Sequence, residues 1–249
     1  KLVKGGFCVA ICEQLSEPRP GTIVERGVTQ VITPGTLTDD AMLDQSSASY
    51  VLSFVEKDDQ WVLLFGELLT AQLFATTIPA GNYRSLEAEL SRFFPDEIIM
   101  PLSVKDRQAA ALFKQLGYWV TPYAGDERDY ALEKIEHRLG SNVIEALAKQ
   151  HSLERSVGLF FSYLARVQHQ AIDQFKTVQF YQTDDYLLLD AATQRNLELV
   201  KNSRDGSRSN TLLSILDRAR TPMGSRIIRK WLLRPLLQMR AITDRQHAV

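Results

Sequence analysis

The sequence predicts an α/β protein in which a mixed-sheet domain lies between a short strand-containing segment and a helical segment. Three strand-like runs, SYVLSFVEK, WVLLFGELL and AQLFATTIP, follow one another between residues 49 and 79. Helix-like and strand-like runs then alternate up to residue 123, and the pattern beyond residue 186 is helical only. With 249 residues, 45% of them hydrophobic, the chain has enough apolar side chains for more than one core.

Residues 1–37 are predicted to form two strands joined by a loop. FCVAICEQ is apolar on both faces, VTQVIT alternates, and EPRPGT between them is rich in proline and glycine. A piece this short cannot hold a core alone, so we expect it to be the end of a larger domain. The chain also starts at Lys1 without methionine and stops inside the helix-like TDRQHAV, which predicts an internal piece of a longer protein.

The two cysteines, Cys8 and Cys12, both lie in the first predicted strand. An extended chain would hold them roughly 13 Å apart, which is too far for a disulfide. The four histidines are scattered without paired spacing, so no metal site is predicted. Because the strand is apolar on both faces, we expect both thiols to be buried and structural.

A polar, acidic linker, residues 38–48, precedes the central domain, residues 49–170. After the three strands come the helix SLEAELSRFF, the strand EIIMP, the helix VKDRQAAALFKQL and the strand WVTPY. This order predicts a mixed sheet covered by helices, and it is shared with ribonuclease H-like folds. Helices are also predicted over residues 126–148 and from Ser152 onward.

A ribonuclease H-like nuclease is one alternative for the central domain. Such an enzyme holds two metal ions on acids that converge from strands and a helix. The first strand has no acid at its centre, Glu67 has no obvious second ligand, and Asp96 and Glu97 precede a strand instead of following one. The sequence therefore favours the fold without the nuclease chemistry. A helical adaptor that binds other proteins and no nucleic acid is a second alternative.

The last predicted segment, residues 171–249, is helical and carries specific boundary signals near its middle. A second helix begins where Thr221 supplies an N-cap hydroxyl and Pro222 occupies the first helical position, and Pro235 is expected to end it. Gly224 is expected to let this helix approach the preceding one closely. The predicted apolar faces of the two helices consist of Leu212, Leu213, Leu216 and Ala219, then Ile227, Ile228, Trp231 and Leu232.

Three stretches carry a more specific pattern. They are GFCVAICEQ with VERGVTQVITPGT, then LLLDAATQRNLEL, and then TPMGSR followed by WL and P. In this order they resemble the MutS family of DNA mismatch-recognition ATPases: the end of its mismatch-binding domain, its D-x-x-T-x-x-N-L-E stretch, and the start of its core, or lever, region. The resemblance marks a structural lever motif formed by Thr221, Pro222, Gly224, Arg226 and Trp231.

The resemblance implies a role for each segment. Residues 1–37 would end the mismatch-binding domain, the central domain would be the connector with a ribonuclease H-like fold, and residues 171–249 would begin the lever. The full-length protein would be a cytoplasmic homodimer that binds mispaired double-stranded DNA, uses ATP and Mg²⁺, and signals to MutL. This chain would transmit conformational changes between the DNA-reading and ATPase ends of the protein.

The chain itself is expected to be catalytically inactive. It contains no phosphate-binding loop G-x-x-x-x-G-K-[ST] and no serine in a nucleophile elbow, so neither a cofactor nor a catalytic residue is predicted on it. No apolar run approaches the ~20 residues of a membrane span, so no membrane association is predicted.

Two arginines are candidates for DNA contacts: Arg19 in the proline-rich loop and Arg26 near the second strand, although Arg26 could instead pair with Glu25. From residue 190 onward there are 12 Lys and Arg against 5 Asp and Glu. This excess fits nucleic-acid binding, or else solvated helix faces and acidic partners; the resemblance favours the second explanation. Charges also alternate along residues 126–139, where we expect a contribution to MutL binding.

Overall fold

Two sheets organise the part of the chain that the structure describes, a two-stranded N-terminal hairpin and a six-stranded mixed sheet. The computed structural model describes residues 2–3, 7–16, 24–36, 48–102, 104, 106–124, 151–167 and 169–248.

The N-terminal hairpin consists of β1 (Val9–Gln14) and β2 (Arg26–Ile32), which pair antiparallel, as the sequence predicts. Cys8 and Cys12 are both exposed, so the expectation of buried thiols is wrong. Strand β1 is half-buried on one face at most, and its other face is exposed. Apolar side chains allow both faces of a strand to be buried, but each face is buried only where a neighbouring layer packs against it.

An antiparallel meander of β3 (Tyr50–Lys57), β4 (Gln60–Glu67) and β5 (Gln72–Pro79) forms the centre of the six-stranded sheet. The turn between β3 and β4 places Asp58 and Asp59 in the left-handed region, with φ of 53° and 57°. Two consecutive left-handed residues make the hairpin turn whose twist matches that of the flanking strands.

Parallel strands extend the meander on both sides. Strand β6 (Glu97–Pro101) pairs with β3, β7 (Val120–Tyr123) pairs with β6, and β8 (Val178–Phe180) pairs with β5. The strand order is β7-β6-β3-β4-β5-β8. Because β8 follows residue 170, the sheet continues past the end that the sequence predicts for the central domain.

Helices cover both faces of the six-stranded sheet, as the sequence predicts. Val51 and Val55 of β3 join the core on one face, and Leu52 and Phe54 join the core on the other. This alternation of neighbouring residues buries both faces of the strand. The first core includes α3 (His151–Val167), and the second includes α1 (Tyr83–Phe93) and α2 (Arg107–Gln115).

Gly66 in β4 determines how closely α3 approaches the sheet. A Cβ at this position would lie 2.1 Å from Cζ of the buried Phe160 and 3.1 Å from Leu73 Cδ2. The phenyl ring therefore occupies the space that any larger residue at position 66 would need.

The described residues of the C-terminal segment contain four α-helices, and the predicted signals at the third are confirmed. Thr221 caps the helix by accepting a hydrogen bond from Gly224 N, and Pro222 occupies its first turn. The helix ends at Leu233, before Pro235. No helix in the described ranges combines the length and apolar content needed to cross a membrane. The four helices are α4 (Ala191–Asn196), α5 (Leu212–Leu216), α6 (Pro222–Leu233) and α7 (Met239–His247).

The predicted apolar faces of α5 and α6 are only partly correct. Ile227 is 44% exposed and Trp231 is 36% exposed, so this face of α6 is only partly buried in the described structure. Helical spacing identifies the residues that share a face, whereas burial depends on which neighbour packs there. The small core of this segment is instead formed by Leu199, Val200, Leu213 and Leu233, with Ile228 and Leu232 against it.

Candidate functional site at the two joints of the central domain

Polar contacts connect the six-stranded sheet to the segment before it and to the segment after it. We call the first set the N-terminal joint, which is centred on Glu97, and the second the C-terminal joint, which is centred on Arg92 and Arg234.

The N-terminal joint is built around the fully buried carboxylate of Glu97, at the start of β6. Thr33 Oγ1 and Gly35 N donate to Glu97 Oε2 at 2.5 and 3.3 Å. Thr121 Oγ1 and Tyr163 OH donate to Oε1 at 2.5 and 2.6 Å. One carboxylate thus accepts hydrogen bonds from the N-terminal segment, from β7 and from α3. These donors satisfy a charged group that burial alone would make very unfavourable.

The turn at residues 33–36 is shaped to fit this carboxylate. Thr33 N donates to Thr36 Oγ1 at 2.9 Å, and the two threonine hydroxyls lie 2.7 Å apart. A Cβ on Gly35 would lie 2.7 Å from both Glu97 Cβ and Val51 Cγ2, so only glycine fits this close approach without rearrangement.

Tyr163 keeps its proton in this environment. Burial raises the pKa of its hydroxyl, and the negative charge of Glu97 raises that pKa further. The hydroxyl therefore stays neutral and acts as a donor to Glu97. Helix α3 is fixed by this bond to the same carboxylate that holds the N-terminal segment.

The C-terminal joint contains a buried ion pair on α1. The side chains of Glu89 and Arg92 are 0% and 2% exposed, and Arg92 Nη1 lies 2.6 Å from Glu89 Oε1. Tyr181 OH, which follows β8, donates to Glu89 Oε2 at 2.6 Å. Burial raises the pKa of Glu89, while the positive charge of Arg92 opposes that rise. The guanidinium also lies over the ring of Tyr186, at 5.1 Å from its centroid.

Helix α6 joins this region through its basic residues. Arg234 is 5% exposed, and its Cζ lies 3.7 Å from the ring centroid of Phe93 and 5.1 Å from that of Phe74. Lys230 Nζ lies 4.5 Å from the Phe74 centroid. Burial lowers the pKa of Lys230 to about 8, and the charge of Arg234 contributes in the same direction. The side of α6 that contacts the central domain is therefore cationic and packs on aromatic rings.

The five residues of the predicted lever motif serve different contacts. Gly224 permits a close approach to Ala219, whose Cβ would lie 2.8 Å from a Cβ at position 224. Ala219 follows the end of α5 at Leu216, so the contact is with the connecting residues and not with the preceding helix itself. Arg226 Nη1 lies 3.8 Å from Glu67 Oε1 on β4, so this arginine reaches the central domain. Trp231 contacts α7 instead, where Arg245 Cζ lies 4.6 Å from its ring. Thr221 and Pro222 form the start of α6, as described above.

Of the two predicted DNA-contacting arginines, the structure describes only Arg26. Arg19 lies outside the described residues, as do residues 126–139, for which a MutL contact is predicted. Arg26 is exposed at the start of β2, opposite Gln14.

The acids that sequence analysis considered for a nuclease have other partners. Glu67 Oε2 accepts a hydrogen bond from Thr70 at 2.8 Å, and Glu97 is held by the four donors of the N-terminal joint. Among the described side chains, no three His, Cys, Asp or Glu residues are grouped as metal ligands.

Sequence analysis missed the roles of Glu97, Arg92 and Arg234. A signal for Glu97 was present: an acid that opens the apolar strand EIIMP must be buried, and a buried carboxylate needs several donors. The four donors lie 24 to 66 residues away in the sequence, so no local pattern identifies them.

Comparison with known proteins assigns all three segments to one family. Sequence models for MutS domain I, MutS domain II and MutS domain III match residues 1–41, 49–176 and 192–249, respectively. The matches occur in the same order as the hairpin, the sheet domain and the C-terminal helices.

Curated relatives match over the entire chain. The chain is 32% identical to DNA mismatch repair protein MutS of Acetivibrio thermocellus, with 100% of this chain and 29% of the relative aligned. It is 34% identical to the proteins of the same name from Acaryochloris marina and Shouchella clausii, covering 30% and 28% of their lengths. The chain thus spans about three tenths of the length of these relatives. The three domain matches and these identities show that the chain belongs to the MutS family of DNA mismatch-repair proteins.

Proposed function

We propose that this chain mechanically couples the DNA-reading end of a MutS-type mismatch-repair protein to its ATPase end. In this proposal the central domain is the connector, with a ribonuclease H-like fold, and the C-terminal segment is the start of the lever. The whole protein binds mispaired double-stranded DNA as a cytoplasmic homodimer, hydrolyses ATP with Mg²⁺, and signals to MutL.

The single observation that carries the proposal is that buried polar contacts hold both neighbouring segments to one sheet. Glu97 joins the N-terminal hairpin segment to β6, β7 and α3. Arg234 and Tyr181 join the C-terminal segment to α1. Buried hydrogen bonds to a charged group have defined geometry and are costly to break, so movement of either segment is transferred to the sheet.

The proposal is tested in the full-length protein with Glu97→Gln. An amide cannot accept from every donor that surrounds this side chain, so the N-terminal joint is weakened while the DNA-reading and ATPase sites are unchanged. We expect affinity for mispaired DNA and basal ATP hydrolysis to stay near those of the unaltered protein. The effect of mispaired DNA on ATP hydrolysis should fall.

Glu13→Gln provides the matched control, because Glu13 is an exposed acid on β1. It should leave the stimulation of ATP hydrolysis by mispaired DNA intact. Full stimulation in the Glu97→Gln protein, despite a measurably weakened fold, would rule out coupling through this joint.

The chain alone is proposed to have neither ATPase activity nor preference for a mispair. Binding of a labelled duplex with a G·T mispair should equal binding of its matched control. For MutL, the isolated chain should bind weakly and in a salt-sensitive way, because charged surfaces contribute more to encounter rate than to affinity. Titration with MutL at low and high salt measures this, and no binding where the full-length protein binds would remove this chain from the MutL interface.

A further inference from the structure

A cavity lies between α6 and the central domain, beside the contacts of the C-terminal joint. Its volume is about 140 Å³, and its walls come from α1, from β4 with its following turn, and from α6. Five cationic side chains line it: Arg92, Arg226, Arg229, Lys230 and Arg234. Glu67 is the one acid on the same wall within the described residues.

The charges around the cavity are unbalanced. Glu89 pairs with Arg92, Glu67 lies 3.8 Å from Arg226, and the charge of Arg229 acts on Asp96. These three acids are fewer than the five cations that line the cavity, so positive charge is in excess. The lowered pKa of Lys230 reflects burial and the neighbouring charge of Arg234. Like charges this close repel one another more strongly in a buried site than in water.

Two of the cavity's guanidinium groups also have unused donors. Arg92 Nη2 and Arg234 Nε are buried and have no hydrogen-bond partner among the described residues. Both residues are at least nine-tenths buried. The aromatic rings of Phe93, Phe74 and Tyr186 accept the flat faces of these groups. A ring face compensates charge, but the N–H edges still need an acceptor.

The size of the cavity limits the kind of acceptor. An engineered cavity of about 150 Å³ holds one benzene molecule, so about 140 Å³ suits a compact group of a few heavy atoms. A tetrahedral oxyanion offers acceptor oxygens in several directions, as donors on facing walls require. Guanidinium groups bind such anions through paired N–H donors.

We propose that this cavity binds a compact tetrahedral oxyanion of the phosphate class, which bridges α1 and α6 and strengthens the C-terminal joint. The anion is either free inorganic phosphate or the phosphate group of a small phosphomonoester. The proposed anion site stands whether or not the proposed coupling function holds.

The proposal is tested by titrating the 249-residue chain with inorganic phosphate at constant ionic strength, using calorimetry and thermal unfolding. Saturable binding with a rise in the unfolding temperature is expected, because an anion that binds only the folded chain stabilises it. Lys230→Met should weaken binding about tenfold, the scale of one charge-assisted hydrogen bond. Lys176→Met removes an exposed lysine and should bind phosphate like the unaltered chain.

Two further arms separate the anion sources and the mechanism. A phosphomonoester such as phosphoserine that binds more tightly than phosphate would identify the ester as the occupant, and the reverse would identify free phosphate. Sulfate, which does not titrate in this range, should bind more weakly above the Lys230 pKa of about 8 than below it. The charged groups that face Lys230 are Arg234, Glu67 and Arg245.

Two results would overturn the proposal. A response to phosphate that does not saturate, or one that Lys230→Met and Lys176→Met reduce alike, would mean that the anion only screens surface charge. If Lys230→Met fails to fold, calorimetry with Lys230→Gln gives the same comparison.

Discussion

Tyr163 of α3 donates a 2.6 Å hydrogen bond to the carboxylate of Glu97, which also accepts from Thr33 of the N-terminal segment. The same buried group therefore holds the sheet, the helix that covers it and the segment that precedes it. Because each donor lowers the cost of burying this charge, the three parts stabilise one another. At the opposite joint, Arg92 and Arg234 have fewer acceptors than donors, so the two joints differ in how completely their charges are satisfied.

Tyr163→Phe tests the contribution of this bond. Removing the hydroxyl leaves Glu97 with three donors, and the free energy of unfolding should fall by about 1–3 kcal/mol. Urea unfolding of the chain measures the change. Tyr83→Phe is the control, because the Tyr83 hydroxyl bonds to Gln108 and Asp106 near the surface, and its loss should cost about 0.5 kcal/mol. Equal losses for both variants would show that the hydrogen bond to Glu97 stabilises the fold no more than a hydrogen bond near the surface.

Gly66→Ala should disturb the contact between α3 and the sheet. The new Cβ would fall 2.1 Å from Phe160 Cζ, so the ring must move within a packed core. We expect a loss of about 1–3 kcal/mol in the free energy of unfolding. In the Phe160→Leu background, Gly66→Ala should lower the free energy of unfolding by less than it does in the unaltered chain, because the smaller side chain leaves room for the new Cβ. Equal losses in the two backgrounds would show that the two residues do not compete for this space.

Gly224→Ala sets two effects against each other. Alanine in place of glycine favours the helix by up to ~1 kcal/mol, whereas its Cβ would lie 2.8 Å from Ala219 Cβ. Crowding usually costs about 1–3 kcal/mol, so we expect a net loss of ~1 kcal/mol in the free energy of unfolding, measured by thermal unfolding. In the Ala219→Gly background the same change should become stabilising. Stabilisation in both backgrounds would show that Gly224 is not needed for the close approach.

Trp231→Ala should lower the free energy of unfolding by less than the apolar pattern of α6 alone suggests. If this ring packed fully between the helices, the loss would be about 3–5 kcal/mol. With 36% of the side chain exposed and Arg245 over the ring, we expect a loss of about 1–2 kcal/mol in this chain. Phe160→Ala, in the fully buried core, should reach about 3–5 kcal/mol and serves as the comparison. A loss for Trp231→Ala as large as that for Phe160→Ala would contradict its exposed position.

The sequence predicted those parts of the fold whose causes are local. Thr221 and Pro222 start a helix through their own chemistry, and the nearly continuous apolar runs of β3, β4 and β5 suit strands that are buried on both faces. The joints could not be predicted in this way, because Tyr181 lies 92 residues from Glu89 and 66 residues separate Tyr163 from Glu97. The exposure of Cys8 and Trp231 was missed for a related reason, since composition does not specify the neighbour that covers a face.

Lys230 should make stability depend on pH in a defined window. Its pKa is lowered from 10.5 to about 8, mainly by burial, so between these values the unfolded chain holds a proton that the folded chain has released. The free energy of unfolding should therefore rise with pH across this window, because the cost of the buried charge disappears. Lys230→Met has no such charge, so its stability advantage over the unaltered chain should shrink as the pH rises from about 8 towards 10.

Urea unfolding of both proteins at several pH values, in buffers without phosphate or sulfate, measures this difference. Tyr50 and Tyr118, whose pKa values burial raises to about 12, lower stability only where unfolded tyrosines begin to ionise, and they are present in both proteins. Their effect therefore cancels in the comparison. Parallel pH profiles for the two proteins would show that the Lys230 ammonium group is solvated in the folded chain.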